Sequence, residues 1–117
     1  MIIKNEKFKR SIISALADSE TVAILNAAMF KSVSMNDIIK ETNIPHTTAY
    51  RKIKSSLEHG LMITEKIVIT NEGKKFSLFR STIRSADVKY EDGEIIVSAI
   101  KNVDLLEKTT ERFFSLD

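Results

Sequence analysis

The stretch Ser34 to Gly60, SMNDIIKETNIPHTTAYRKIKSSLEHG, constrains this chain more than any other, because it reads as two short helices joined by a tight turn. Ser34 is a good N-cap, and Asp37 three residues on can return the favour to the cap's own N–H, so two orphan donors of a first turn are satisfied together. Ile38 and Ile39 supply the buried face. Glu41-Thr42-Asn43 ends that helix, since Asn tolerates a left-handed conformation at a C-terminus. Pro45, the chain's only proline, fixes a φ suited to the first turn of the next.

In the second helix Ala49, Ile53 and Leu57 recur at i, i+4 and i+8 with Tyr50 at the edge of the stripe, so that side packs inward. At about 100° per residue the opposite side carries Thr48, Arg51 and Ser55, flanked by Thr47, Lys52 and Lys54. Hydroxyls and cations are the groups that contact phosphates and base edges in a major groove. The stretch is a helix-turn-helix candidate, with Thr47, Thr48, Tyr50, Arg51, Lys52 and Lys54 as candidate DNA-contacting residues. Gly60 suits the position just past the helix end and releases the chain into a β-rich run.

The charge distribution supports that placement. Residues 1–44 hold six basic and five acidic residues, residues 45–84 eight and three, and residues 85–117 four and eight. The middle of the chain is therefore its basic surface, and the acidic last third is unsuited to a polyanion. With 117 residues, 43% of them hydrophobic and 29% charged, the chain fits one soluble domain. It has no cysteine, which excludes disulfides and thiolate metal sites. No apolar run approaches a membrane span, and Met1-Ile2-Ile3-Lys4 does not open a signal peptide, so a cytoplasmic location is expected.

Either side of the central stretch, periodicity gives the remaining elements. Phe8, Ile12, Ile13 and Leu16 keep helical spacing through KFKRSIISALA, with Lys4, Lys7, Lys9 and Arg10 on the wetter sides. Asp18-Ser19-Glu20 interrupts with capping residues, and Val22, Ile24, Leu25, Ala28, Met29 and Phe30 continue as a central core helix. After Gly60, residues 61–70 and 75–84 form a hairpin about Asn71 and Gly73, with Lys74 and Lys75 at its tip beside a returning strand that carries Arg80 and Arg84. A second hairpin, residues 86–90 and 94–100, turns on Glu91-Asp92-Gly93, and one of its faces must be covered. Asn102 to Leu116 closes the chain as an amphipathic helix. The expected class is α+β, with residues 1–84 as the DNA-binding unit and 85–117 as a hairpin and C-terminal helix in the same compact body. The stripes of Phe8, Ile12 and Leu16 and of Val103, Leu106 and Phe113 each need cover, and are the expected homodimer contacts.

SALADSETVAILNAAMFKSVSMNDIIKETNIPHTTAYRKIKSSLEHGLM resembles the helical half of an ArsR-type winged helix-turn-helix domain, over roughly residues 14 to 84. The pieces that carry the likeness are Ala15-Leu16-Ala17-Asp18-Ser19-Glu20-Thr21, the run Thr47-Thr48-Ala49-Tyr50-Arg51, and Leu57-Glu58-His59-Gly60-Leu61. The resemblance implies a three-helix core with a two-stranded wing, a homodimer, and double-stranded DNA as partner, with the recognition helix (45–59) in the major groove and the wing (61–84) near the backbone. Metal-sensing members use thiolates, which this chain lacks.

Other chemistry is thinly represented. His46 and His59 stand at opposite ends of one helix and cannot share an intrahelical metal site. Gly60, Gly73 and Gly93 fall at a helix end and two turns, not in a phosphate loop. No cofactor, no metal site and no enzymatic activity are expected, and whether a small effector binds stays open. The expected function is sequence-selective duplex DNA binding in transcriptional regulation; the alternative is a winged helix that serves as a protein-interaction module in a transcription or other macromolecular assembly.

Overall fold

Local capping chemistry sets most of the helix boundaries in the computed structural model, which describes residues 1–102. Helix α1, Glu6–Leu16, opens where the Asn5 side chain accepts the Phe8 N–H at 2.9 Å. Helix α2 spans Ser19–Ala27 and α3 spans Met35–Thr42. At the start of α3 the Ser34 hydroxyl accepts the Asp37 N–H at 3.2 Å, and the Asp37 carboxylate accepts the Ser34 N–H at 3.0 Å. That second bond holds the Asp37 carboxyl below its ordinary range. Asn43 ends α3 at φ 60°, its N–H bonded to the Ile39 carbonyl, and α4, His46–Glu58, follows Pro45 at φ −56°. The cap, the left-handed stop and the proline all act as the sequence predicts.

The end of α2 departs from expectation. The helix stops at Ala27, and Phe30 lies exposed under the Arg84 guanidinium, 4.8 Å from its ring centroid. A helix leaves its last carbonyls without partners, and here other elements claim them. The Ala28 carbonyl accepts the Ser81 N–H at 3.0 Å, and the Met29 carbonyl accepts Arg80 Nε at 3.1 Å and Asn102 Nδ2 at 2.7 Å.

Four strands make two antiparallel hairpins: β1 (Met62–Ile69) with β2 (Lys75–Ser81), and β3 (Ile83–Glu91) with β4 (Glu94–Lys101). The returning strand was expected to run on to Arg84, but it changes partner at Thr82. There the Thr82 hydroxyl donates to the Gly60 carbonyl at 2.7 Å and its N–H to Leu61 at 3.0 Å. The first turn uses Gly73 at φ 83°; the second is a two-residue turn with Asp92 and Gly93 both at positive φ, the geometry that matches hairpin twist. Short segments extend both hairpins, through a Val33–Phe79 bridge beside β2 and an Ile2–Ser98 bridge beside β4.

The described residues form two apolar clusters. One joins α2, α3 and α4 to the first hairpin through Ile24, Ala28, Ile38, Ala49, Ile53, Met62 and Phe79. The other holds Ile3, Phe8, Ile12 and Ala15 against Leu61, Val97 and Ala99. Leu25 packs against both. The covered face of the second hairpin is thus its near end, sealed by α1 and Ile3, while Tyr90 at the far end is 76% exposed.

This packing corrects the assignment of Phe8 and Ile12 to a dimer interface. They are 5% and 1% exposed within a single chain, because β4 and the N-terminal segment cover the α1 stripe from inside. Leu16 alone of that stripe stays exposed. Val103, Leu106 and Phe113 lie outside the described residues. Among the described residues, no helix is long and apolar enough to cross a membrane.

Truncating Ile12 to Ala is expected to lower unfolding free energy by about 2–5 kcal/mol, the usual range for a buried aliphatic side chain. Denaturant melts should give the same loss at every protein concentration. A loss that grows on dilution would put Ile12 back at an intersubunit contact.

Candidate nucleic-acid interface

Helix α4 owes its orientation to three inward residues, Ala49, Ile53 and Ser56. Ser56 replaces Leu57 at the centre of the buried side: its hydroxyl donates to the Lys52 carbonyl at 2.8 Å, so the polar group is satisfied within its own helix. Leu57 is only half-buried. The helix is therefore turned slightly from the apolar stripe read in the sequence, and His46, Thr47, Tyr50, Arg51, Lys54, Ser55 and Glu58 are the side chains left in solvent. Thr48 is half-buried. His59 closes the helix with Nδ1 placed 2.8 Å from the Ser55 carbonyl, which makes Nδ1–H the donor and leaves Nε2 outward.

Lys52 does not belong with the exposed cations. Its side chain is 17% accessible, and Nζ bonds the Asp18 carboxylate and lies 3.3 Å from Glu20. The bond from Lys52, seconded by the Thr21 hydroxyl, draws the Asp18 carboxyl down to about 2, and the same bond raises the Lys52 ammonium. Asp18 occupies the N-cap position of α2 yet makes no side-chain bond to a first-turn N–H. Its carboxylate ties α2 to α4 instead.

Arg80 and Arg84 likewise leave the basic surface expected of the returning strand. Arg80 is 6% exposed, bonded to the Met29 carbonyl and 3.5 Å from Glu65. A bulge between Thr64 and Lys66 aims Glu65 at this arginine and at the Ser32 hydroxyl. Arg84 donates to Asn102 Oδ1 at 3.0 Å. The cations of residues 45–84 that remain in solvent are Arg51 and Lys54 on α4 and Lys66, Lys74 and Lys75 on the first hairpin. The last two flank its turn, on a hairpin that also exposes Ile67, Ile69 and Phe76.

The structure brings Arg51 together with residues that the sequence reading left on the wetter side of the N-terminal helix. An open groove of about 870 Å³ runs between α1 and α4, with Lys7, Arg10, Ser11 and Ser14 on one wall and Arg51, Ser55 and His59 on the other. Lys74 and Lys75 do not line it. The signal for the α1 wall was present in the spacing, since positions 7, 11 and 14 form a helical stripe beside the buried 8, 12 and 15. What was not visible was that α4 would face it. No group of three or more His, Cys, Asp or Glu side chains is poised for a metal ion among the described residues.

The Lys52 contact has a pH signature. A carboxyl whose folded value lies near 2, below its ordinary 3.8, stabilises the fold fully above about pH 4 and loses that contribution as pH falls toward 2. Asp18→Asn should therefore be less stable than the parent at neutral pH, with the gap closing on acidification from about pH 4 to about pH 2. Paired urea melts across that range check it; a gap that stays constant would mean the carboxylate charge contributes nothing.

Comparison with protein-family models, with curated proteins and with solved structures finds no match to this chain.

Proposed function

We propose that this chain is a winged helix-turn-helix domain that binds duplex DNA with sequence selectivity in transcriptional regulation, in keeping with its resemblance to the ArsR type. The observation that carries the reading is the outward face of α4. Thr47, Tyr50, Arg51 and Lys54 stand in solvent there, and among the described residues neither Arg51 nor Lys54 is paired with a carboxylate. A helix of 13 residues is about 20 Å long and fits a major groove about 12 Å wide. Arg51 is the side chain suited to bidentate base recognition, with Thr47 and Thr48 near base edges or phosphates and Lys54 on the backbone.

The first hairpin supports the wing assignment. It follows α4 immediately through Gly60, the Val33 bridge ties it to the segment before α3, and its turn carries Lys74 and Lys75, point charges suited to phosphate without base discrimination. In this reading the domain binds and does not catalyse, works in the cytoplasm, and acts as a homodimer with two α4 helices about 34 Å apart. Of the α1 stripe expected to pair, Leu16 is the residue that stays exposed. Sedimentation equilibrium at the concentrations used for binding tests that part, and a monomer removes it.

A second reading, a protein-interaction module, is favoured by the exposed Ile67, Ile69 and Phe76 on the first hairpin and Tyr90 on the second. Salt titration of binding to random and genomic duplexes separates the two. A DNA-binding domain loses affinity linearly on a log–log plot, whereas an interaction module binds little at any salt. Arg51→Ala should cost about 1–3 kcal/mol of specific binding and leave the fold intact. Lys74→Ala with Lys75→Ala should weaken all sequences alike and make the salt slope shallower by about 1.8. A changed sequence preference at constant slope would assign the hairpin another role.

A further inference from the structure

The groove between α1 and α4 has a composition that its two walls do not need for packing. Its lining carries Lys7 and Arg10 from α1 and Arg51 from α4, together with the hydroxyls of Ser11, Ser14, Ser55 and Ser56 and the apolar Ala15 and Leu61. Ser11 donates to the Lys7 carbonyl at 3.0 Å and Ser56 to the Lys52 carbonyl at 2.8 Å, so both side chains fold back on their own helices and keep the walls low. Two acids reach the groove, and each is answered: Asp18 by Lys52, and Glu6 by Lys9 at 3.7 Å. That leaves three exposed cations, none paired with a carboxylate among the described residues, around an open channel of mixed polar and apolar lining. An enclosed apolar pocket would suit a small hydrophobic ligand; an open cationic channel with short walls suits a polyanion strand.

We propose that this groove is a phosphate track, in which Lys7 and Arg10 of α1 neutralise nucleic-acid phosphates across from Arg51. The inference rests on the DNA-binding reading and extends it, since α1 then belongs to the DNA footprint and its groove-facing side is not open to a second copy. Charge at this wall acts on phosphate and carries no base preference. Lys89 is an exposed cation on the second hairpin, neither it nor its partner Glu91 lines the groove, and it serves as an internal control.

The test is duplex binding across a salt series by the full chain and three variants. Lys7→Ala with Arg10→Ala should make the log–log slope shallower by about 1.8, so that a fourfold rise in salt costs about twelvefold less affinity than it costs the parent, with sequence preference unchanged. Ser14→Lys, which adds a cation to the same wall, should steepen the slope by about 0.9. Lys89→Ala should leave it unchanged. Because one variant removes charge and another adds it, a fault in folding cannot imitate the pair of results. Parent-like slopes in both groove variants would overturn the track while leaving the DNA reading standing, as would a slope that falls equally in Lys89→Ala. A parent chain with no salt-dependent binding at all would overturn both.

Discussion

The carbonyls at the end of α2 are the constraint on which the rest of the structure depends. Buried backbone acceptors without partners cost about 1–3 kcal/mol each, and a helix end supplies several at once. Here Leu25 accepts the Ser81 hydroxyl, Ala28 the Ser81 N–H, and Met29 both Arg80 and Asn102. Asn102 also donates to the Ser81 carbonyl at 3.0 Å and accepts from Arg84. The residues that answer the helix come from the corner between the hairpins and from the end of β4. One junction thus seats both hairpins on the helices and determines where the first of them leaves α4.

That junction also explains why a count of basic residues overstates the cationic surface. Arg80 and Arg84 look like wing charges in a sequence because they alternate along a strand beside lysines. Their guanidiniums offer five donors each, and the Met29 carbonyl and Glu65 engage Arg80 while the Asn102 side-chain amide engages Arg84. Lys52 is diverted by the same kind of demand, from carboxylates at the start of α2. Among the exposed cations that remain are Arg51 and Lys54 on α4, Lys74 and Lys75 at the hairpin tip, and Lys7 and Arg10 on α1, where the helical spacing had put them in solvent.

What the sequence made legible was whatever is decided within a few residues: the reciprocal cap of Ser34 and Asp37, the left-handed stop at Asn43, the start after Pro45, and the turns at Gly73 and at Asp92-Gly93. These are contests between neighbouring groups, and residue identity settles them. Illegible were pairings across dozens of positions, such as Lys52 with Asp18, Asn102 with Met29, or Ile3 with Val97. The apolar stripe of α1 was readable as a stripe, but spacing says only that Phe8 and Ile12 need cover, not whether another part of the chain provides it. Ser56 shows the same limit on a smaller scale, since a serine that bonds its own helix can be buried where a leucine was expected.

The segment Met1 to Ile3 carries a consequence of a different kind. It lies along β4 on the side away from β3, with Ile3 N–H bonded to Val97 and Ala99 N–H to the Met1 carbonyl, both at 2.8 Å. It is therefore the guard on a sheet edge. Stripped of it, β4 would present a row of unanswered donors and acceptors next to newly bared Val97, the template on which foreign strands add and aggregates begin. Slow amide exchange at Ala99 reports that the guard is in place, and its loss would give early notice of clumping.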